Sequence, residues 1–420
     1  MTFRNDLEFA KQRDASDSLR RFRERFIFPT DNEGKPKKYF AGNSLGLQPK
    51  ATESSVLEEL NSWKKFAVDG HFKGKNPWYP YHERVSRSLA KVVGAKEMEV
   101  VAMNTLTTNL HLMMVSFYRP NPKRFKICYL EAAFPSDRYA IRSQIEFHGY
   151  DPSIALLPLR PRDGESVVRE EDVLEVIERE GDSIALVLLE NVNYLTGQAL
   201  PMKSLTEASQ KKGCKVGWDL AHGVGNLPLQ LHDDGPDFAV WCSYKYLNGG
   251  PGCIAGCFVH DRWADKAIPR FAGWWGQDKA SRFMMGSEFH PISGAEGWQL
   301  SNPSILSLAA LRASLDCFDE ATIEALAAKG QDISGYLIFL LENELGEKCE
   351  VLTPREPDRR GAQVSVRLKG ADKSWVEQLN DLGIVGDFRQ PDVFRFAPVP
   401  LYCSYQDVFE LVQGLKSLCS

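Results

Sequence analysis

Between Phe125 and Val259 short apolar runs recur at intervals that leave room for helices. FKICYL (125–130), IALLPL (154–159), IALVLL (184–189), KVGWD (215–219), FAVWC (238–242) and IAGCFV (254–259) each read as a strand. VREEDVLEVIERE (168–180) and MKSLTEASQKKG (202–213) carry apolar residues at helical spacing among charges, and the second ends in a glycine that stops a helix. Runs this apolar have no face for water, so their sheet must be covered on both sides. Strands of that kind alternating with helices predict an α/β domain on a mostly parallel sheet. Ligands of such sheets bind beyond the C-terminal ends of the strands, which says where chemistry should be sought.

Past about residue 303 the texture changes. PSILSLAALRASLDCFDEAT reads as a long helix, and QVSVRL (363–368) as an alternating strand of a smaller α+β unit. The expected division is 1–60 as a polar helical segment packing on that unit, 61–310 as the large α/β domain and 311–420 as the small C-terminal domain. A net charge of −5 argues against nucleic acid as the partner. No apolar run approaches membrane-spanning length, and the N-terminus has no apolar signal core. Nine cysteines, an odd number without metal-ligand spacing, suit reduced thiols. The expectation is a cytoplasmic protein with no metal and no membrane contact.

Three segments carry chemistry. In WCSYKYLNGGPGC (241–253), Lys245 follows an apolar strand and precedes three glycines. A lone lysine is usually solvated charge. Near a buried strand end, however, desolvation favours the neutral amine, a nucleophile for carbonyls, and glycine lets backbone approach a bound group closely. In WDLAH (218–222), Asp219 ends a strand, where it can pair with a protonated pyridine nitrogen or cap a helix, and both can hold together. His222, taken alone, reads as an interior hydrogen-bonded histidine. In NTLTTNLHLMMVSFY (104–118) a hydroxyl-rich start opens a helix, a phosphate site in which Thr107 or Thr108 adds a hydroxyl, or else an ordinary cap. A phosphate cradle, an acid for a pyridine nitrogen and a lysine for an aldehyde are together the needs of pyridoxal 5′-phosphate (PLP).

With these residues in place, the chain resembles the kynureninase family, fold-type I PLP enzymes akin to class V aminotransferases. The resemblance spans nearly the whole chain through YFAGNSLGLQPK (39–50), NTLTTNLHLMMVSFYRP (104–120), FPSDRYAI (134–141), NYLTGQ (193–198), WDLAHGVGN (218–226), WCSYKYLNGGPG (241–252), GWWGQ (273–277), LSNPS (300–304) and FRFAPVPLYCS (394–404). It implies hydrolysis of L-kynurenine or 3-hydroxy-L-kynurenine to an anthranilate and L-alanine, in tryptophan breakdown or NAD synthesis, by a homodimer with shared active sites. It implies that Lys245 holds the cofactor's aldehyde and later moves protons, and that Asp219 pairs with its pyridine nitrogen. Tyr244 is implied as a phosphate contact and is a candidate proton donor. Phe134, in the stretch with Pro135, Ser136 and Asp137, would stack on the ring, Leu106 and Thr107 would help hold the phosphate, and His222 would lie beside the cofactor. Trp274 and Asn302 would come from the neighbouring subunit. Arg395 would clamp the substrate α-carboxylate near the loop of Ser44, with His71 and Asn302 along the aryl ring. Two positions depart from the family pattern. Gln277 stands where animal members have histidine, and Glu190 where some relatives have a small hydroxyl residue.

Other readings compete. GNSLG (42–46) matches the nucleophile elbow of serine hydrolases, some of which cleave C–C bonds, but its lead-in is short and Pro49 follows at once. A class V-like aminotransferase, lyase or cysteine desulfurase would share the Asp219–Lys245 logic. A desulfurase needs a mobile-loop cysteine, and Cys403 is the nearest candidate, read as structural. A scaffold that has lost activity would not be expected to keep Lys245, Asp219, Thr107 and Arg395 together.

Overall fold

The computed structural model describes residues 3–419. Its centre is a seven-stranded sheet. The strands are β1 (Val100–Ala102), β2 (Lys126–Leu130), β3 (Leu156–Leu159), β4 (Ile184–Glu190), β5 (Lys215–Asp219), β6 (Phe238–Trp241) and β7 (Gly256–Val259). Their order across the sheet is β1-β7-β6-β5-β4-β2-β3. The run from β6 to β3 is parallel, and β7 lies antiparallel to both β6 and β1. All residues of β4, β6 and β7 are buried, as strands covered on both faces require. The Leu106–Phe117 and Pro135–Phe147 helices, among others, supply that cover, and their N-termini lie toward the C-terminal edge of the sheet.

The IALLPL run divides: Pro152–Ala155 forms one helical turn started by Asp151, whose side chain accepts from Ser153 N, and only Leu156–Leu159 joins the sheet. A proline after an Asx cap favours that turn. The long C-terminal helix is Ile305–Ala321, followed after Thr322 by a second helix, Ile323–Leu345. Beyond it lies an antiparallel sheet of β8 (Cys349–Val351), β9 (Val364–Leu368), β10 (Asp387–Arg389) and β11 (Val393–Phe396), ordered β8-β9-β11-β10. The Tyr405–Leu418 helix packs on Ile323–Leu345 and on the N-terminal Leu7–Ser16 helix.

The first sixty residues are less helical and less polar than their composition suggests. After Leu7–Ser16 the chain runs through short bridges and turns to the Ala51–Phe66 helix, and Phe9, Phe22, Phe26 and Phe40 are buried. All nine cysteines are free thiols; seven are buried, and Cys349 and Cys419 are partly so. Cys403 is buried with its thiol on the Tyr39 carbonyl. No helix among the described residues is long and apolar enough to cross a membrane.

Candidate active site

Lys245 sits where the parallel run of strands ends. The chain leaves β6, passes through Ser243–Gly249 and returns antiparallel as β7, so the lysine lies in a tight reversal rather than on an open strand end. The reversal is closed by Asn248 N on the Lys245 carbonyl at 2.9 Å and Gly249 N on the Ser243 carbonyl at 2.9 Å. A Cβ on Gly249 would stand 2.6 Å from Cys253 Sγ and 2.9 Å from the Ser243 carbonyl oxygen. The glycine therefore serves the packing of this loop on itself, and not the approach of a ligand. A second segment finishes the loop: Gly46 N donates to the Tyr244 carbonyl at 2.8 Å, and a Cβ on Gly46 would stand 2.3 Å from the Lys245 carbonyl oxygen.

Around the amine the titratable groups are dense. Lys245 Nζ is 2.9 Å from His222 Nε2. Burial and the positive charges of Lys245, Arg395 and Arg389 push His222 well below the usual histidine range, so its ring is neutral. With Nε2 accepting from the lysine, Nδ1 carries the ring hydrogen, and that buried atom has no partner within the chain. Asp219 ends β5 and accepts from Ala221 N at 2.6 Å. No helix begins there, so the capping alternative reduces to a turn. Glu190 ends β4 directly opposite Asp219. It accepts from Phe134 N at 2.7 Å and Asn193 Nδ2 at 2.8 Å.

Several carboxyls beside one ammonium in a desolvated site cannot all be charged, because each uncompensated buried charge costs several kcal/mol. The relief falls on two of them. Burial first, then the neighbouring Asp219, raise Asp137 well above the usual carboxylate range, which favours its protonated form. Burial first and Asp219 second push Glu190 up to about 8, against the opposing pull of its two N–H donors. Burial, with Cys242 and Asp219 nearby, also raises the phenol of Tyr244.

Phe134 is partly exposed, with its ring centroid 5.9 Å from Lys245 Nζ and its edge-to-face partner Tyr194 at 5.2 Å. Glu190 ties the Phe134 turn to the Asn193 turn and so fixes that ring over the lysine. Pro135 opens the Pro135–Phe147 helix, and Leu106 opens the Leu106–Phe117 helix. Neither helix start has a side-chain cap. Their hydroxyls face each other, Thr107 Oγ1 lying 2.9 Å from Ser136 Oγ, while Thr108 turns back to Thr105. Two uncapped helix N-termini with paired hydroxyls form an anion cradle.

On the other side stands Arg395, 1% exposed at its side chain, donating through Nη1 to the Tyr194 carbonyl at 2.7 Å and through Nη2 to Asp387. Ser44 lies in a turn, not between strand and helix, and its hydroxyl accepts from Arg389 at 3.5 Å. It has no histidine partner among the described residues, so the elbow reading lacks its base.

The structure thus gathers Leu106, Thr107, Phe134, Pro135, Ser136, Asp137, Asp219, His222, Tyr244, Lys245, Arg395 and Ser44 at one edge of the sheet. It leaves three of the sequence-predicted residues elsewhere on the chain. His71 meets Val68, Phe72 and Trp78. Trp274 is exposed against Trp275 and Phe283, and Asn302 is exposed. The aromatic stretch at residues 76–85 packs within the chain, since the buried Glu59 accepts from Asn76, Trp78 and Tyr81. Gln277 spends its amide on Ser281 Oγ at 2.9 Å and His290 N at 2.7 Å. Asp387 and Arg389 escaped the sequence reading, because only the pairing of β10 with β11 brings them to Arg395.

Comparison with known proteins bears on the family and the fold. A family model described as the kynureninase C-terminal domain matches residues 326–415. The chain is similar to a kynureninase of Myxococcus xanthus, 55% identical over 415 residues that cover 99% of this chain and 97% of the relative. It is similar to kynureninases of Koribacter versatilis, 55% identical with 96% of each chain covered, and Flavobacterium johnsoniae, 52% identical with 99% of each covered. In fold it resembles the cysteine desulfurase CsdA of Escherichia coli, with a TM-score of 0.75 at 15% identity, covering 95% of this chain and 98% of that one. A C-DES variant with glycine covalently linked to its PLP cofactor superposes with a TM-score of 0.74 at 16% identity, over 91% of this chain and 96% of that one. At such identity these two structures speak for the fold alone: the fold-type I α/β architecture.

Proposed function

The chain belongs to the kynureninase family, and on that premise we propose how its residues share the work. It is a hydrolase that cleaves the Cβ–Cγ bond of L-kynurenine or its 3-hydroxy form, giving an anthranilate and L-alanine. The observation that carries this reading is the Lys245–His222 contact at 2.9 Å beside the strand-end carboxylate Asp219, with an uncapped anion cradle close by. PLP fits these residues. The orphaned Nδ1 of His222 and the buried, unpartnered hydroxyl of Ser243 mark a site whose polar atoms expect a further group. Thr107, Ser136 and the two helix starts would hold its phosphate, Phe134 its ring face, Asp219 its pyridine nitrogen and Lys245 its aldehyde.

Bound PLP supplies a carbonyl for the substrate amine and a ring that withdraws electrons from the adjoining carbons. The protein supplies the rest. Lys245 Nζ would take the proton from the substrate Cα and hand it on to another atom rather than back to Cα. Neutral His222 accepts from that amine and keeps it aimed. Asp137, holding a proton, donates to Asp219 and shields it from a second full charge. Tyr244 gives a proton to the alanine-level product. Arg395 receives the α-carboxylate.

The assembly is a homodimer. Phe72, Trp274, Phe283, Met284 and Met285 form an exposed apolar patch that a second copy would cover. Trp274 and Asn302 would then complete the partner's cofactor site, and His71 and Asn302 would border the aryl ring. Nine free thiols, seven of them buried, support a reducing compartment such as the cytoplasm.

Product fluorescence during turnover of PLP-loaded protein tests the function, run in parallel on L-kynurenine and 3-hydroxy-L-kynurenine. Equal yields of an anthranilate and alanine are expected. Bound PLP without either product would overturn the hydrolase reading and bring the aminotransferase or desulfurase alternatives forward.

A further inference from the structure

Arg395 alone makes a poor carboxylate receptor. Asp387 lies directly opposite it on the neighbouring strand and already takes its Nη2, so the pair is electrically closed. A buried, neutralised arginine has no net charge left to offer an incoming anion. Arg389 changes that balance. It lies two residues from Asp387 on the same face of β10, and its Nη2 donates to the same carboxylate oxygen at 3.0 Å. One oxygen thus joins two guanidiniums, leaving one net positive charge, which matches one carboxylate. Both guanidiniums are unfinished as well: Arg389 Nε and Arg395 Nε are buried without partners within the chain. Arg389 also reaches Ser44 in the glycine-rich turn that closes over the lysine loop. Both guanidiniums also lie near enough to His222 that, after burial and Lys245, they oppose its protonation.

We propose that Arg389 is a second receptor for the substrate α-carboxylate, and that Asp387 is a positioning residue that holds Arg389 and Arg395 as one fork of single net charge. The proposal rests on the kynurenine reading for its substrate but on this chain's charge arrangement for its logic. Two side chains, and not one, then select monocarboxylates with an aryl-ketone tail.

The test uses a probe that cannot react with the cofactor, 4-oxo-4-phenylbutanoate, which has the aryl ketone and carboxylate but no amine. Its primary amide serves as the uncharged control. Calorimetric titration of the PLP-loaded protein should show Arg389→Gln weakening the carboxylate about tenfold, as expected for a lost charge-assisted bond, with the amide unchanged. On L-kynurenine the same variant should raise KM about tenfold and leave kcat within about twofold, since a ground-state contact is removed. The absorbance of lysine-bound PLP should not move. Arg389→Lys keeps the charge and should recover part of the affinity; it also covers the case in which the glutamine variant fails to fold. Asp387→Asn should raise KM, and combined with Arg389→Gln should add less than the two separate losses, because the residues act as a unit. Equal weakening of carboxylate and amide, or full additivity, would overturn the proposal and reduce both residues to packing. Wild-type discrimination between the two probes without any turnover of kynurenine would overturn the substrate reading and leave the carboxylate site standing.

Discussion

The two edges of the large sheet both bury carboxylates, and they treat them in opposite ways. At the N-terminal edge Asp237 accepts from Val216 N at 2.7 Å, Trp263 Nε1 at 2.9 Å and Arg262 Nη2 at 3.0 Å. Glu99, on the same edge, takes two backbone N–H groups and His232. Each charge there is matched by donors of the chain itself. At the C-terminal edge Glu190 and Asp219 face each other across adjacent strands with Asp137 close by, and His222 and Ser243 keep buried atoms without partners. Burial alone therefore does not mark a functional carboxyl; the crowding of carboxyls against one another, beside polar atoms left without partners, does.

Substitutions at the two edges should separate in what they change. The largest effect falls at the C-terminal edge. Lys245→Ala should cut turnover at least about 1,000-fold and abolish the absorbance of lysine-bound PLP, while leaving the urea midpoint close to wild type. A large loss of stability instead would blur the distinction between the edges. Next, Asp237→Ala should cost about 3 kcal/mol in urea unfolding, because Arg262 is left without its buried counter-charge. The kcat of the folded fraction should hold; a loss of kcat without a loss of stability would break the comparison.

A smaller effect concerns Glu190, and its sign can be worked out. Its folded value, pushed up to about 8, lies above the ordinary 4.5. Between those values the folded chain keeps a proton that the unfolded chain has released. The stability from this group is therefore full below the lower value and drains as pH rises toward the upper one. Cofactor-free Glu190→Gln should show a flatter fall in urea midpoint across that window than wild type. Identical slopes would mean that Asp137 alone carries the titration. The smallest effect is expected for Ser44→Ala: a rise in KM of about fivefold, the worth of one hydrogen bond, and no labelling of Ser44 by a serine-directed phosphonate in the wild type. Complete loss of turnover would revive the elbow.

What the sequence made legible was local. Lys245, Asp219 and Thr107 each announce themselves by a strand end or a helix start within a few residues, and the apolar runs name the strands. Long-range pairing stayed hidden. The glycines after Lys245 looked like room for a ligand, and one of them is room for Cys253. Residues 1–60 read as polar helix because Phe22 stands among charges and the runs holding Phe26 and Phe40 are short, and only their tertiary neighbours bury them. Asp387 and Arg389 carry no motif at all. Their meaning comes from a strand register that no window of local sequence contains.

Gly46 carries a consequence for how the molecule is assembled. The turn that donates to the Tyr244 carbonyl is made well before the loop it closes, and Arg395 is made later still. Synthesis order and assembly order therefore run against each other here. The Gly46 turn has no partner for this bond until the chain past Tyr244 has been made, so the lysine loop is completed by a contact of long sequence separation.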